Sequence, residues 1–108
     1  MWLHTVMQAL GVLADPIRRE IIETLLEHEE DAGSLAARFT VSRPAVSRHL
    51  RVLREAGLVR VETDAQRRVY HVELAPLAEV DDWISRYRQF WSTKLDALDT
   101  YLEEETRP

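Results

Sequence analysis

Cysteine is absent from these 108 residues. Disulfides, thiol catalysis and cysteine-ligated metal are therefore excluded, and a reducing cytoplasm is the expected location. The chain also lacks any run of about 18 apolar residues, so no membrane span is expected. Met1-Trp2-Leu3-His4-Thr5 has neither the charged start nor the apolar run of a signal peptide. Glycine is scarce at three residues and proline at four, so most of the chain is expected in regular structure, without linker, repeat or low-complexity tract. No phosphate loop of the G-x-x-x-x-G-K kind exists. Ser34, Ser42, Ser47, Ser85 and Ser92 have no histidine and carboxylate partners at a catalytic spacing, which argues against an enzyme. His4, His28 and His71 are scattered without ligand spacing, so neither a metal nor a cofactor is expected.

What is present is enough apolar material for one modest core: 45% of residues are hydrophobic, and residues 1–108 read as a single domain. So small a core gains from association with a second copy. The charge is unevenly placed. Residues 38–71 hold eight arginines against Glu55, Glu62 and Asp64, a local +5 in a chain of net −5, so the remainder carries −10. A basic stretch in an acidic chain is either a solvated face or the footprint of a nucleic-acid partner.

The periodicity predicts four helices, a hairpin and a last helix, a mainly α fold with a small β-wing. Leu3, Val6, Met7 and Leu10 mark the first helix. Asp15-Pro16 is a cap and first-turn proline for a second, running to about Glu27 with Ile17, Ile21, Ile22, Leu25 and Leu26 on one face. Asp31 caps a short third helix from Ala32 to Arg38, and Phe39-Thr40-Val41 connects it to a fourth. Ser42 caps that fourth helix, Pro44 sits in its first turn, and Gly57 ends it. Leu58–Thr63 and Arg68–Leu74 read as strands around the polar turn Asp64-Ala65-Gln66-Arg67. Pro76 opens the final helix, which reaches Glu104.

A helix, a short turn and a second helix over 31–56, followed by a hairpin over 58–74, form a winged helix-turn-helix. At 100° per residue, Val46, Leu50 and Leu53 lie within about 60° of one another and form the buried stripe of the fourth helix. Ser42, Arg43, Pro44, Ser47, Arg48 and Arg51 then crowd its exposed N-terminal half, with Arg54 flanking that face. Arginine donates two parallel hydrogen bonds to guanine, serine bonds base edges or phosphate, and a helix N-terminus offers free N–H groups to a phosphate. These residues are the expected contacts to double-stranded DNA. Arg67 and Arg68, at or just after the hairpin tip, suit the backbone or minor groove. His49 lies at the edge of the buried stripe and has two readings, a boundary histidine packed within the motif or a phosphate donor.

The stretch Ala14-Asp15-Pro16-Ile17-Arg18-Arg19-Glu20-Ile21 resembles the second-helix signature of the ArsR/SmtB repressors. Val41 to Val59, with Ser42-Arg43-Pro44-Ala45-Val46-Ser47-Arg48-His49-Leu50 at its head, resembles that family's recognition helix. The resemblance covers about residues 6–102. It implies a homodimeric repressor that binds an imperfect palindrome and dimerises through its first and last helices, here 1–13 and 76–104. Trp2, Val6 and Leu10 on the one, and Trp83, Tyr87, Phe90, Trp91, Leu95 and Leu98 on the other, are the expected interface. Metal-sensing members carry Cys-x-Cys at the third helix or a His/Asp cluster on the last. Here the former region reads Glu30-Asp31-Ala32-Gly33-Ser34-Leu35, and the last helix has no histidine. The aromatic stripe Trp83 to Trp91 resembles the metal-independent branch; it reads as core and dimer packing, or as an apolar pocket for an unidentified small-molecule effector. From another class, a protein-interaction module that kept the fold but not DNA binding is the alternative. The basic helix and the arginine wing argue against it.

Overall fold

Side-chain caps set where the helices of the body begin. In the computed structural model, which describes residues 2–106, an eleven-residue helix α1 (Trp2–Val12) comes first. Asp15 then accepts hydrogen bonds from the Ile17 and Arg18 N–H groups at 2.8 and 3.2 Å. Those donors have no partner within the helix, so the cap opens α2 (Pro16–Glu27) at its proline. A two-residue strand, β1 (Glu30–Asp31), follows, and Asp31 takes the Ser34 N–H at 2.7 Å to start α3 (Ala32–Ala36). Ser42 Oγ accepts from the Ala45 N–H at 3.3 Å and starts α4 (Arg43–Glu55). Gly57 ends it at φ 77°, the left-handed conformation expected of that glycine.

The buried stripe of α4 is the expected one. Val46, Leu50 and Leu53 are fully buried against Ile21, Leu35 and Leu58. Each such side chain contributes roughly 1.5–3 kcal/mol of apolar burial, enough to seat one short helix firmly. Leu26 departs from expectation. It is about half exposed, because the buried arc of α2 closes with Ile21, Ile22 and Leu25.

Two boundaries and one strand also differ. The third helix stops at Ala36 rather than Arg38, since the Arg38 and Phe39 N–H groups turn to the carbonyls three residues back. The last helix, α5 (Leu74–Thr106), starts two residues before Pro76. A proline in the first turn removes no helical hydrogen bond, so it does not mark the start by itself. The hairpin, β2 (Val59–Asp64) and β3 (Arg67–Val72), gains β1 as a third strand, in the order β1-β3-β2, all antiparallel. Two residues carry no periodicity, so β1 has no signal in sequence; it exists because the edge of β3 offers pairing to Glu30 and Asp31.

Asp64 pairs with Arg67, leaving Ala65 and Gln66 as the whole hairpin turn. Ala65 has φ 55°, where a Cβ costs roughly 1–2 kcal/mol. Ala65→Gly is therefore expected to stabilise the protein by up to about 1 kcal/mol, after the entropy that glycine adds to the unfolded chain. Thermal unfolding checks this; a lower melting temperature would show that the turn is unstrained.

α1 packs along the start of α5, and Val80 and Trp83 join the core there. From Tyr87 onward the residues of α5 are exposed as far as Thr106. Its 33 residues span about 50 Å at 1.5 Å each, which sets the long axis of a 74 × 32 × 20 Å molecule. No helix among the described residues is long and apolar enough to cross a membrane.

Candidate nucleic-acid interface

The tertiary structure sorts the eight arginines of the basic stretch. Arg38 is held away from the cleft by a buried acid. Its Nε donates to Glu30 at 2.8 and 3.0 Å, and its Nη2 also meets that carboxylate. Glu30 is a buried acid, and its hydrogen bonds hold the Arg38 guanidinium above its usual pKa. Arg60 bridges Glu62 at 3.0 Å and Glu73 at 3.3 Å on the back of the wing. The other six, Arg43, Arg48, Arg51, Arg54, Arg67 and Arg68, line one open cleft of about 890 Å³ between α4 and the β2–β3 wing.

The cleft is built by two periodicities. On α4 the residues opposite the Val46–Leu50–Leu53 stripe face it: Pro44, Ser47, Arg48 and Arg51, flanked by Arg43 and Arg54. On β3 the alternation of side chains turns Arg68 and Tyr70 towards the cleft, while Val69 and His71 line the opposite face. Gln66, in the turn, joins the lining. Among the described residues no carboxylate pairs with Arg43, Arg48, Arg51, Arg54 or Arg68. Arg67 is held differently: it donates to Asp31 Oδ2 from Nε at 3.1 Å and from Nη2 at 2.9 Å. Hydrogen bonds from Ser34 and then the Arg67 guanidinium hold the Asp31 carboxyl at about 2, below the ordinary 3.8.

The expected contacts are thus brought together with three adjustments. Ser42 caps α4 at the mouth of the motif. His49 is half-buried outside the cleft, and its Nδ1 accepts from Arg18 Nε at 3.2 Å. Arg18 Nη1 in turn donates to the Val12 carbonyl at 3.2 Å, so His49 ties α4 to α2 and to the end of α1. This contact is the packing that the boundary reading describes. Arg54 and Gln66 are the additions. Arg54 already flanked the exposed face in sequence, whereas Gln66 had no signal until the turn shortened to two residues.

The terminal helices need a correction. Val6 is fully buried inside this chain's own core, and Leu10 and Trp83 pack against that core as well. Val6 is thus closed to a partner, whereas Leu10 and Trp83 keep part of their surface exposed where α1 packs on α5. Leu3 and Met7 are the exposed apolar residues of α1 instead. Tyr87, Phe90, Trp91, Leu95 and Leu98 are each about half exposed on α5, joined by Ile84, Tyr101 and Leu102. Trp83 stacks on Tyr87 at 5.3 Å, and Trp91 meets the edges of Tyr87 and Phe90 at 6.1 and 5.8 Å, all along one helix surface. The Trp2 side chain lies outside the described residues. Among the described residues, no three His, Cys, Asp or Glu side chains gather as a metal site.

Two helices joined by a turn, a basic outer face on the second and a β-wing beside it define a winged helix-turn-helix, a class of DNA-binding regulator. Comparison with known proteins agrees. The model described as "Bacterial regulatory protein, arsR family" matches residues 15–61. An HTH-type transcriptional regulator of Mycobacterium tuberculosis is 38% identical over 98 residues, covering 91% of this chain and 89% of the relative. The transcriptional repressor SdpR of Bacillus subtilis is 28% identical over 75 residues, 69% of this chain and 83% of that protein. An ArsR-like transcriptional regulator from Rhodococcus sp. RHA1 superimposes with a TM-score of 0.76 at 28% identity, covering 92% of this chain and 93% of that one. The chain belongs to the arsR family of bacterial transcriptional regulators.

Proposed function

We propose that this regulator is a homodimeric repressor that reads a pseudo-palindromic operator. Arg43, Ser47, Arg48 and Arg51 contact base edges and flanking phosphates in the major groove, while Arg68 and Gln66 approach the backbone or minor groove from the wing. The observation that carries this reading is the convergence of six arginines from α4 and the wing on one open cleft in a chain of net −5. Overall charge would repel DNA; only a local field of this kind attracts it. Occupation of a promoter by the dimer then blocks the polymerase sterically.

The dimer is supported by what α5 leaves uncovered. A helix gains most of its stability from packing an apolar face, and α5 presents one that is about half exposed from Tyr87 onward. Its apolar residues recur at 84, 87 and 91 and again eleven residues later at 95, 98 and 102. An 11-residue repeat is close to three helical turns, so the stripe stays on one side of the helix and can meet an identical stripe. Selection of bound duplexes from a random pool tests the reading. The recovered sites are expected to be inverted repeats with half-sites about 10–10.5 base pairs apart, or a multiple of that. Recovery without sequence preference would reduce the protein to a non-specific binder.

A further inference from the structure

Arg67 stands at the edge of the cleft, lining it and also the opposite face of the wing, with its charge already answered. Asp31 is the sole acid among the residues that line the cleft, and it does two things with one carboxylate. Oδ1 accepts the Ser34 N–H at 2.7 Å and so caps α3; Oδ2 accepts both Arg67 donors. The pairing of Asp31 with Val69 in the β1–β3 ladder sets the carboxylate beside the first residues of β3. Asp31 answers the guanidinium charge and occupies the Nε and Nη2 donors, so a DNA phosphate that grips Arg67 by that edge must displace the carboxylate. Arg68, one residue on and turned to the cleft, has no such competitor among the described residues.

We propose, on the reading that the cleft holds duplex DNA, that Asp31 is a positioning residue that masks Arg67 and pins the wing to α3. Phosphate contact at the wing then falls to Arg68. The sequence-independent part of binding is held down by one charge per protomer. This limits the affinity that every stretch of duplex shares and leaves discrimination to α4.

Asp31→Asn separates the charge from the cap, because an asparagine side chain caps a helix as well as aspartate does. Asp31→Ser, also a good cap, guards against a folding defect peculiar to one variant. Salt dependence of binding to a short random-sequence duplex is measured for the wild type, for both variants, and for each combined with Arg67→Gln. Release of Arg67 is expected to steepen the log–log salt slope by about 0.9 per protomer, an extra loss of roughly three-fold between 50 and 200 mM salt. In the Arg67→Gln background the same substitutions are expected to leave the slope unchanged. An unchanged slope in the Arg67 background overturns the proposal. So does an equal change with and without Arg67, which would be a general charge effect. Absence of duplex binding by the wild type overturns the DNA reading of the cleft, and the masking role with it.

Discussion

Trp91→Glu is expected to convert a dimer into a monomer and to cut operator affinity by roughly 10³-fold or more, to the level of non-specific binding. The size of the effect follows from position. Trp91 stands near the middle of the exposed stripe that runs from Ile84 to Leu102. The far end of that stripe is acidic, with Asp96, Asp99, Glu103, Glu104 and Glu105, whereas Arg86, Arg88 and Lys94 lie nearer the body. Parallel pairing would set the acidic ends against each other; antiparallel pairing brings Asp96 and Asp99 towards the partner's Arg86 and Arg88. Residues near the middle then meet their own copies across the two-fold axis. Two buried glutamates would face each other there, and each lost indole surrenders the largest apolar surface of the stripe. A monomer keeps one reading head, and half an operator holds it weakly. Gln89 lies about 200° around the helix from Trp91, so Gln89→Glu is expected to leave the dimer intact. Sedimentation velocity measures both variants. A wild-type monomer, or a dimeric Trp91→Glu, would place the interface elsewhere.

Arg48→Ala and Arg51→Ala are expected to cost roughly 1–3 kcal/mol each per half-site, and so about twice that on an operator that binds two protomers. Both side chains project from the outer face of α4, opposite Val46, Leu50 and Leu53, and both line the cleft. Removing them disturbs no buried contact, so thermal stability should stay within about 0.5 kcal/mol of the wild type. The loss should be concentrated on operator duplex and be smaller on random duplex, because a base contact is worth little on the wrong base. Equal losses on both duplexes would make these arginines phosphate contacts. No loss on either would remove α4 from the reading role.

Much of this site is legible in sequence, because short-range rules govern it. Ser42 and Asp15 are caps, Pro44 belongs in a first turn and Gly57 ends a helix, each for reasons local to a few residues. The 3.6-residue period alone separates Val46, Leu50 and Leu53 from Arg48 and Arg51. The same rule fails where neighbours come from far along the chain. Val6 and Tyr87 carry equal apolar signals, yet Val6 is sealed inside the protomer while Tyr87 is half exposed. Which of the two is covered depends on where α1 lies against α5, and no period along either helix contains that.

The sequence by itself therefore determined the order of the five helices and the hairpin, the orientation of α4, its basic outer face and the kinship with the ArsR repressors. These rest on caps, turns and periods that act within about one helical turn or one strand pair. Only the tertiary structure decided which arginines share a cleft. Arg38 and Arg67 look alike in the chain, but Glu30 holds one outside the cleft and Asp31 holds the other at the cleft wall. The reason is physical: a guanidinium goes to the nearest carboxylate in space, and spatial proximity between residues 31 and 67 is made by the β1–β3 pairing.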